Sequence, residues 1–566
     1  MKNKYIILVL GSLFCYGCNF LDYNERSFLE QKDAFSEFSK VTQILTGAYN
    51  ILPSGFSDVG DAMLDAATDN GICVWNSSSA AGTSNIQNFY NGSWSPIITV
   101  DAQWSNFYTG VRRANLFLEN ADDKILDEYQ WSGDNYQSMR KQWELYRYEA
   151  RFLRAFFHFE LAKRYGDIPI VDHTLTLEEA NSIPRNSFEE VILWIAQECA
   201  EIAPSMATSY TNASITPGLQ TGRVTRGAAM ALRSRALLYL ASPLHNPTSA
   251  SDYNARWLSA ASAANDLITS GIYSNTLPAW SNAFNNWDPA SNTELILERR
   301  QADNRAFEMT NTSIGFEGGN TSNCPTQNLV DCYEMATTGK GILENGSGYD
   351  PSTPYVGRDP RLAMTVLFNG AAYRGREMQC YQGGLDGLPK TGVSPTGYYL
   401  RKGLDPNTVI SGANMTNSKH CWILFRYTEV LLNYAEAMNE AFGPNDKGSF
   451  SLSATDAVNL VRKRQGVAMP DFPNTLSRDE FRLKIRNERR VEFAFEGHRM
   501  WDIRRWKQGD LTRTISGMNI VLQGNTTTYT PVTVQTRLWD DKMYFYPIPQ
   551  TEIYATKNIL TQNTGW

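Results

Sequence analysis

A mainly α-helical scaffold bearing a large, irregular, loop-rich face is the architecture this sequence predicts, on three observations. Helical periodicity recurs through residues 34–270 and again through 422–507, where apolar side chains return every three to four positions. Between them, residues 272–421 lose that period, Gly, Asn, Pro and Thr dominate, and aromatic side chains are scattered; this is the composition of a functional surface held up by a scaffold. Third, Ala228, Ala229, Ala231, Ala236 and Ala241 recur within residues 224–241 and let a following helix at 253–270 approach closely, as in tetratricopeptide-like helix pairs. No clean period of about 34 residues accompanies them, so such repeats are degenerate.

Taken in order, the chain opens on a targeting segment. Lys2 and Lys4 make a basic start, residues 5–13 an apolar core, and Gly17-Cys18 a small-residue cleavage point. Residues 1–17 therefore read as a lipoprotein signal peptide, Cys18 as the acylated first residue, and 18–33 as lipid anchor and tether. Cys15 and Tyr16 stand where an aliphatic and a small residue are usual before such a cysteine, and a secretory peptide without lipid is the alternative. Residues 34–566 then read as a single domain, with helices expected at 34–49, 58–69, 104–120, 137–164 and 187–201. In the last of these Ser187 and Glu190 have the spacing of a capping box. Gly166 and Pro169 end the helix before it. Residues 72–96 read as a long loop, 425–441, 454–465 and 478–507 as helices, and the tail as turn and strand.

The helix at 478–507 carries the densest charge. Glu488, Glu492 and Glu496 fall four apart on one face, where they repel unless arginines lie between them. Arg486, Arg489, Arg490, Arg499, Arg504 and Arg505 are within one or two turns, and guanidinium forks pair carboxylates bidentately. The expectation is a part-buried ion-pair helix locking two layers together. Acid/base chemistry by a glutamate pair is the alternative, disfavoured because carboxylates enmeshed in arginine stay ionised.

Composition narrows the function. Across 566 residues the formal net charge is −7, and removing Lys2 and Lys4 takes it to −9, which argues against nucleic acid as a partner. No further apolar run is long enough to span a membrane. Cys73, Cys199, Cys324, Cys332, Cys380 and Cys421 are far apart, and five histidines show no paired spacing, so no metal site is expected. Nucleophile-elbow, phosphate-loop and dinucleotide motifs are missing. Neither a cofactor nor a catalytic residue is therefore expected.

Arg486-Asn487-Glu488-Arg489-Arg490, Glu492-Phe493-Ala494-Phe495-Glu496-Gly497-His498-Arg499, Trp501-Asp502 and Arg504-Arg505-Trp506 resemble the C-terminal signature of the SusD/RagB family. Further blocks match in order, so that the resemblance covers essentially the mature chain: Glu149 to Ala155 with Tyr165-Gly166-Asp167-Ile168-Pro169, Gly222-Arg223, Asp359-Pro360-Arg361, Arg426-Tyr427-Thr428-Glu429-Val430, Tyr546-Pro547-Ile548-Pro549 and Gln562-Asn563. It implies a surface-exposed outer-membrane lipoprotein that binds nutrient, usually a glycan. Its tetratricopeptide-like helix pairs would pack against a SusC-like TonB-dependent transporter, with the irregular half holding the ligand. A peptide ligand, as in the RagB branch, a glycoside hydrolase, and a scaffold that binds only protein are the rival readings.

Sugars offer C–H faces that stack on aromatic rings and hydroxyls that pair with Asp, Asn and Arg. Trp75, in the loop beside Asp69 and Asn70, occupies the place where the resemblance puts a ligand-stacking tryptophan; its alternative role is to pack that loop down. Phe316 and Asn320 stand at the corresponding place of a second segment, which has no tryptophan. Tyr373, Arg374 and Tyr399 complete the candidate set from the aromatic composition of the irregular region.

Overall fold

A computed structural model of the chain describes residues 35, 37–210, 220–280 and 292–566. The segments read above as signal peptide (1–17) and as lipid anchor and tether (18–33) lie outside the described residues. The longer helices are α1 (Phe38–Tyr49), α2 (Trp104–Asn120), α3 (Asp134–Tyr165), α4 (Phe188–Ile202), α5 (Arg226–Ala241) and α6 (Tyr253–Thr269). After the irregular region come α7 (Tyr427–Phe442), α8 (Ala454–Arg462), α9 (Arg478–Glu492) and the short α10 (Arg499–Arg505). Each of α1 to α6 packs on the next, α6 on α7, and α7 on both α8 and α9.

Local chemistry sets these boundaries. The Ser187 hydroxyl accepts from the Glu190 amide at the start of α4, and the Glu190 carboxylate accepts from the Ser187 amide. Ser453 with Asp456 and Ser477 with Glu480 repeat the device on α8 and α9. Gly166 ends α3 at φ 73°, where a side chain would also press on the Phe545 ring. Ala228, Ala229 and Ala236 of α5 and Ala261 and Ala264 of α6 have no exposed surface, so the small-residue face is the seam between those helices.

Strands are short and come in antiparallel pairs. β1 (Gly71–Cys73) pairs with β3 (Asn323–Pro325), and β2 (Leu295–Arg300) with β8 (Cys421–Arg426). β4 (Val366–Leu367) joins β7 (Tyr399–Leu400), and β5 (Ala372–Tyr373) joins β6 (Arg376–Glu377). β9 (Thr514–Gln523) and β10 (Thr526–Thr536) form a hairpin near the end, followed by the one-turn α11 (Gln550–Ala555). One apolar core runs through the helices; a second, containing Met63, Leu329, Tyr333, Tyr399 and Phe495, lies beneath the irregular region. All six cysteines among the described residues are free thiols.

Two expectations fail together, for one reason. Residues 58–69 are not a helix; only Leu64–Ala67 forms a 3-10 turn. The helix expected over 478–507 breaks between α9 and α10, with Phe495 at φ 59° and Gly497 at φ 77°. Asp65 joins the two departures. Its carboxylate accepts from the amides of Phe495 (3.0 Å) and Gly497 (3.1 Å) and from the Asn70 side chain (3.1 Å), satisfying backbone donors that the break leaves without helical partners.

The ion-pair expectation holds, with different arginines. Glu492 has no exposed surface; it accepts from Arg361 (2.8 Å), Arg426 (2.8 Å), Arg464 (3.1 Å) and the Trp280 indole (3.2 Å). Glu488 takes Arg361 and Arg462, both at 2.6 Å, and Glu496 takes Arg426 and Lys402. Several arginines of α9 and α10 serve other carboxylates instead, while Arg504 turns to the Met500 carbonyl and sulfur. Arg505 grips Glu436 of α7 and Asp502, while Arg490 and Arg499 hold Asp69. The charged stripe thus ties α9 to α7, to α8 and to the irregular region at once.

Candidate functional site

Three irregular segments, 313–321, 381–393 and 405–416, meet around Phe316, and glycines let them close up. A Cβ on Gly315 would lie 2.2 Å from an Asp386 oxygen, one on Gly318 2.5 Å from the Ile410 carbonyl, and one on Gly392 3.1 Å from the Ile314 side chain. Asp386 is the buried hub. It accepts from the Ser313 hydroxyl (2.6 Å), the Gln379 amide (2.8 Å) and both ends of the Arg376 fork (2.6 and 2.9 Å). Burial alone would raise this carboxyl; Arg376 and Ser313 outweigh it and hold the group below its ordinary range.

Phe316 stands on this hub. The Arg376 guanidinium lies 3.7 Å from its ring centroid, and Tyr373 meets it edge-on at 5.5 Å and 88°. The ring keeps part of its surface in water. Leu385 and Leu388, both exposed, flank the hub on the 381–393 loop. Arg374 is half-buried and left-handed at φ 46°, its guanidinium donating to the carbonyls of Thr408 (2.7 Å) and Asp405 (3.4 Å). Strained non-glycine backbone of this kind costs on the order of 1–3 kcal/mol and persists where the surroundings fix it.

A family model described as "SusD family" matches residues 293–566, and one described as "Starch-binding associating with outer membrane" matches residues 19–238. The chain belongs to the SusD/RagB family. Its relatives include SusD-like protein P25 of Formosa agariphila, 23% identical over 89% of this chain and 90% of the relative. Among solved structures, a SusD-like protein from Bacteroides fragilis is 26% identical, covers 94% of this chain and 98% of its own, and superposes at a TM-score of 0.74. A SusD-like carbohydrate binding protein from the same species is 24% identical, over 93% of this chain and 99% of its own, at 0.70. The stacked helix pairs are accordingly the tetratricopeptide-like scaffold of SusD-like proteins.

Against this SusD-like frame the residues chosen from sequence fall into two groups. Phe316, Tyr373 and Arg374 come together at the platform, and Asn320 joins Trp75, whose indole donates to the Asn320 carbonyl at 3.2 Å. Trp75 itself is 4% exposed, and a Cβ on Gly82 would sit 2.0 Å from its ring. It packs its loop down, and the stacking role expected of it is corrected to a structural one in this conformation. Asp69 and Asn70 are interior as well. Asp69 lies 3.0 Å from Arg490 and 2.8 Å from Arg499, and Asn70 accepts from Arg490 at 2.8 Å. Burial favours a neutral Asp69, but the two guanidiniums outweigh it and hold the carboxyl at about 2. Tyr399 is fully buried, donating to the Asp386 carbonyl at 2.6 Å; it positions the hub and faces no solvent. Tyr373 is 4% exposed and supports the Phe316 ring from below.

Arg376 and Asp386 escaped the sequence reading. The signal was Asp386 within Gly383-Gly384-Leu385-Asp386-Gly387, an acid inside a glycine-rich turn, where a buried carboxylate can order the loop through backbone and arginine donors. Trp75→Ala is expected to cost about 3–5 kcal/mol of stability, as for other buried aromatic truncations, read from urea midpoints. A loss below about 1 kcal/mol would return Trp75 to the surface.

Proposed function

We propose that this SusD-like protein captures oligosaccharide at the surface of the outer membrane and hands it to a SusC-like TonB-dependent transporter, with no catalytic step of its own. The observation that carries the reading is the Phe316 platform: a part-exposed ring backed by a guanidinium and a tyrosine, fixed by a buried carboxylate, and set among loops rich in amide and hydroxyl groups. Sugar C–H faces stack on such a ring, and hydroxyls find donors and acceptors at its rim. The carbohydrate binding named for the Bacteroides fragilis neighbour and the starch-binding description of the N-terminal family model support it. A shallow platform yields weak capture; a Kd near 1 mM corresponds to only about −4 kcal/mol, which suits a protein that must release its ligand.

The test is affinity electrophoresis of residues 19–566 through gels containing plant, fungal and host polysaccharides. One glycan class is expected to retard the protein, and Phe316→Ala to weaken that retardation at least about tenfold, or ~1.4 kcal/mol, with the melting temperature held. Oligopeptide binding without any glycan retardation would replace this reading with the peptide one, and release of shortened sugars from a bound oligosaccharide would make the protein an enzyme. Cys18→Ala is expected to free the protein from the outer-membrane fraction; retention of the variant there would remove the lipid anchor from the proposal.

A further inference from the structure

A second concavity, of about 340 Å³, opens on the scaffold and shares no residue with the loop face. One wall is the outer side of α2, where Trp104, Tyr108 and Arg112 recur at one-turn spacing. The segment after α3 makes another and is held rigidly. Tyr108 donates to the Pro169 carbonyl at 2.9 Å, and the Val171 amide donates to the buried His158 ring at 3.0 Å. α11 and the turn behind it close the third side. In that turn Lys557 and Asn558 are both left-handed, at φ 52° and 67°, and bring Leu560 back against the floor. The floor is apolar: Val171, Leu175, Ile183 and Leu560.

The chemistry is concentrated at Glu552. This carboxylate of α11 lines the pocket half-buried, beside the Trp104 indole. The buried carboxylates of the charged stripe each face one to three guanidiniums; among the described residues no arginine or lysine stands within ion-pair distance of Glu552. Burial, the larger influence, consequently pushes its carboxyl above the ordinary range. Arg185 reaches Tyr108 from outside the lining but is taken up by the carbonyls of Asp167 and Thr561, and the two basic residues of the lining are also turned elsewhere. His173 is exposed and bonded to Asp172 at 2.8 Å, and Arg112, two turns beyond Trp104 and so about 12 Å along the helix, is exposed to water.

We infer that this pocket binds a cationic group carried on a flexible apolar stem, an alkylammonium or guanidinium, with the stem along the floor and the charge at Glu552 beside Tyr108 and Trp104. A volume of this size accepts a small ligand or one long side chain. Lysine and arginine stems lie readily on apolar surface while their heads seek polar partners, and aromatic rings beside a carboxylate add a cation–π attraction. The group arrives either as a basic side chain of another polypeptide or as a free amine. The inference is independent of the glycan reading, since it concerns other residues and another ligand class.

Titration calorimetry on residues 19–566 with n-pentylamine, pentan-1-ol and Nα-acetyl-lysine methylamide tests it. Pentylamine is expected to bind at least tenfold more tightly than pentanol, and Glu552→Gln to remove that difference while leaving pentanol binding in place. Leu560→Trp, which fills the floor without touching the charge, is expected to block all three. Tighter binding of the lysine derivative than of pentylamine assigns the site to a protein side chain, and the reverse to free amines. Equal affinity for amine and alcohol, or amine binding unchanged in either variant, overturns the inference.

Discussion

Glu492→Ala is expected to lower the unfolding free energy by at least about 3–5 kcal/mol, the scale of breaking a buried ion pair from one side. The side chain has no exposed surface, and its loss strips a shared carboxylate from Arg361, Arg426 and Arg464 at once. Arg464 retains Glu294, and Arg361 retains Asp359 and Glu488, so the charges are not wholly orphaned. Their balance is still lost, with burial opposing every unpaired cation. Urea titration of wild type and variant checks the expectation. A second substitution, Arg464→Met, added to Glu492→Ala is expected to recover part of the loss, because one uncompensated buried cation leaves with it. A single-variant loss under about 1 kcal/mol, or no recovery in the double variant, would mean that water reaches the cluster and screens it.

Acidification is expected to produce the second large effect. Asp69 and Glu436 are both buried, and although burial alone would raise them, their guanidinium partners hold each at about 2 in the folded chain, against ordinary values of 3.8 and 4.5. Depressed carboxyl values stabilise the fold in full above the ordinary values, and that stability drains away as pH falls from there towards about 2. Asp69 and Glu436 carry about 2 and about 3 kcal/mol respectively by this linkage. Urea midpoints measured from pH 6 downwards should therefore hold until about pH 4.5 and then fall steeply. Asp69→Asn should be less stable at pH 6 and show a shallower fall. A midpoint that did not move between pH 5 and pH 3 would contradict the pairing.

What could be seen in advance was what local chemistry decides. The boundaries of α2 and α4 followed from apolar period and from Ser187 with Glu190, and the α5–α6 seam from alanines, because those signals sit within a few residues of the structure they specify. The failures were long-range. Residues 58–69 have a helical pattern, yet Asp65 is claimed by amides 430 and 432 positions away. The charge stripe announced burial among arginines, but which arginines depended on how α8, β8 and the turn at Asp359 are brought to α9. The site was hardest to see. Trp75 and Phe316 look alike in sequence; only Gly82, arriving over Trp75 from seven residues later, decides which ring is roofed.

The distance spanned by the Asp69 clamp has a consequence for biosynthesis. Its partners Arg490 and Arg499 lie 421 and 430 residues downstream, so nothing in the first four-fifths of a nascent chain can neutralise that aspartate. The early helices are able to pair as they emerge, since their contacts are with neighbours, but the segment bearing β1 must wait with an unpaired acid until the last hundred residues arrive. Closure of this clamp thus waits for α9 and α10 to be made. A polypeptide truncated before Arg490 would present an open, unlocked edge that proteases find, while a chain that includes α9 and α10 would hide it in one late step.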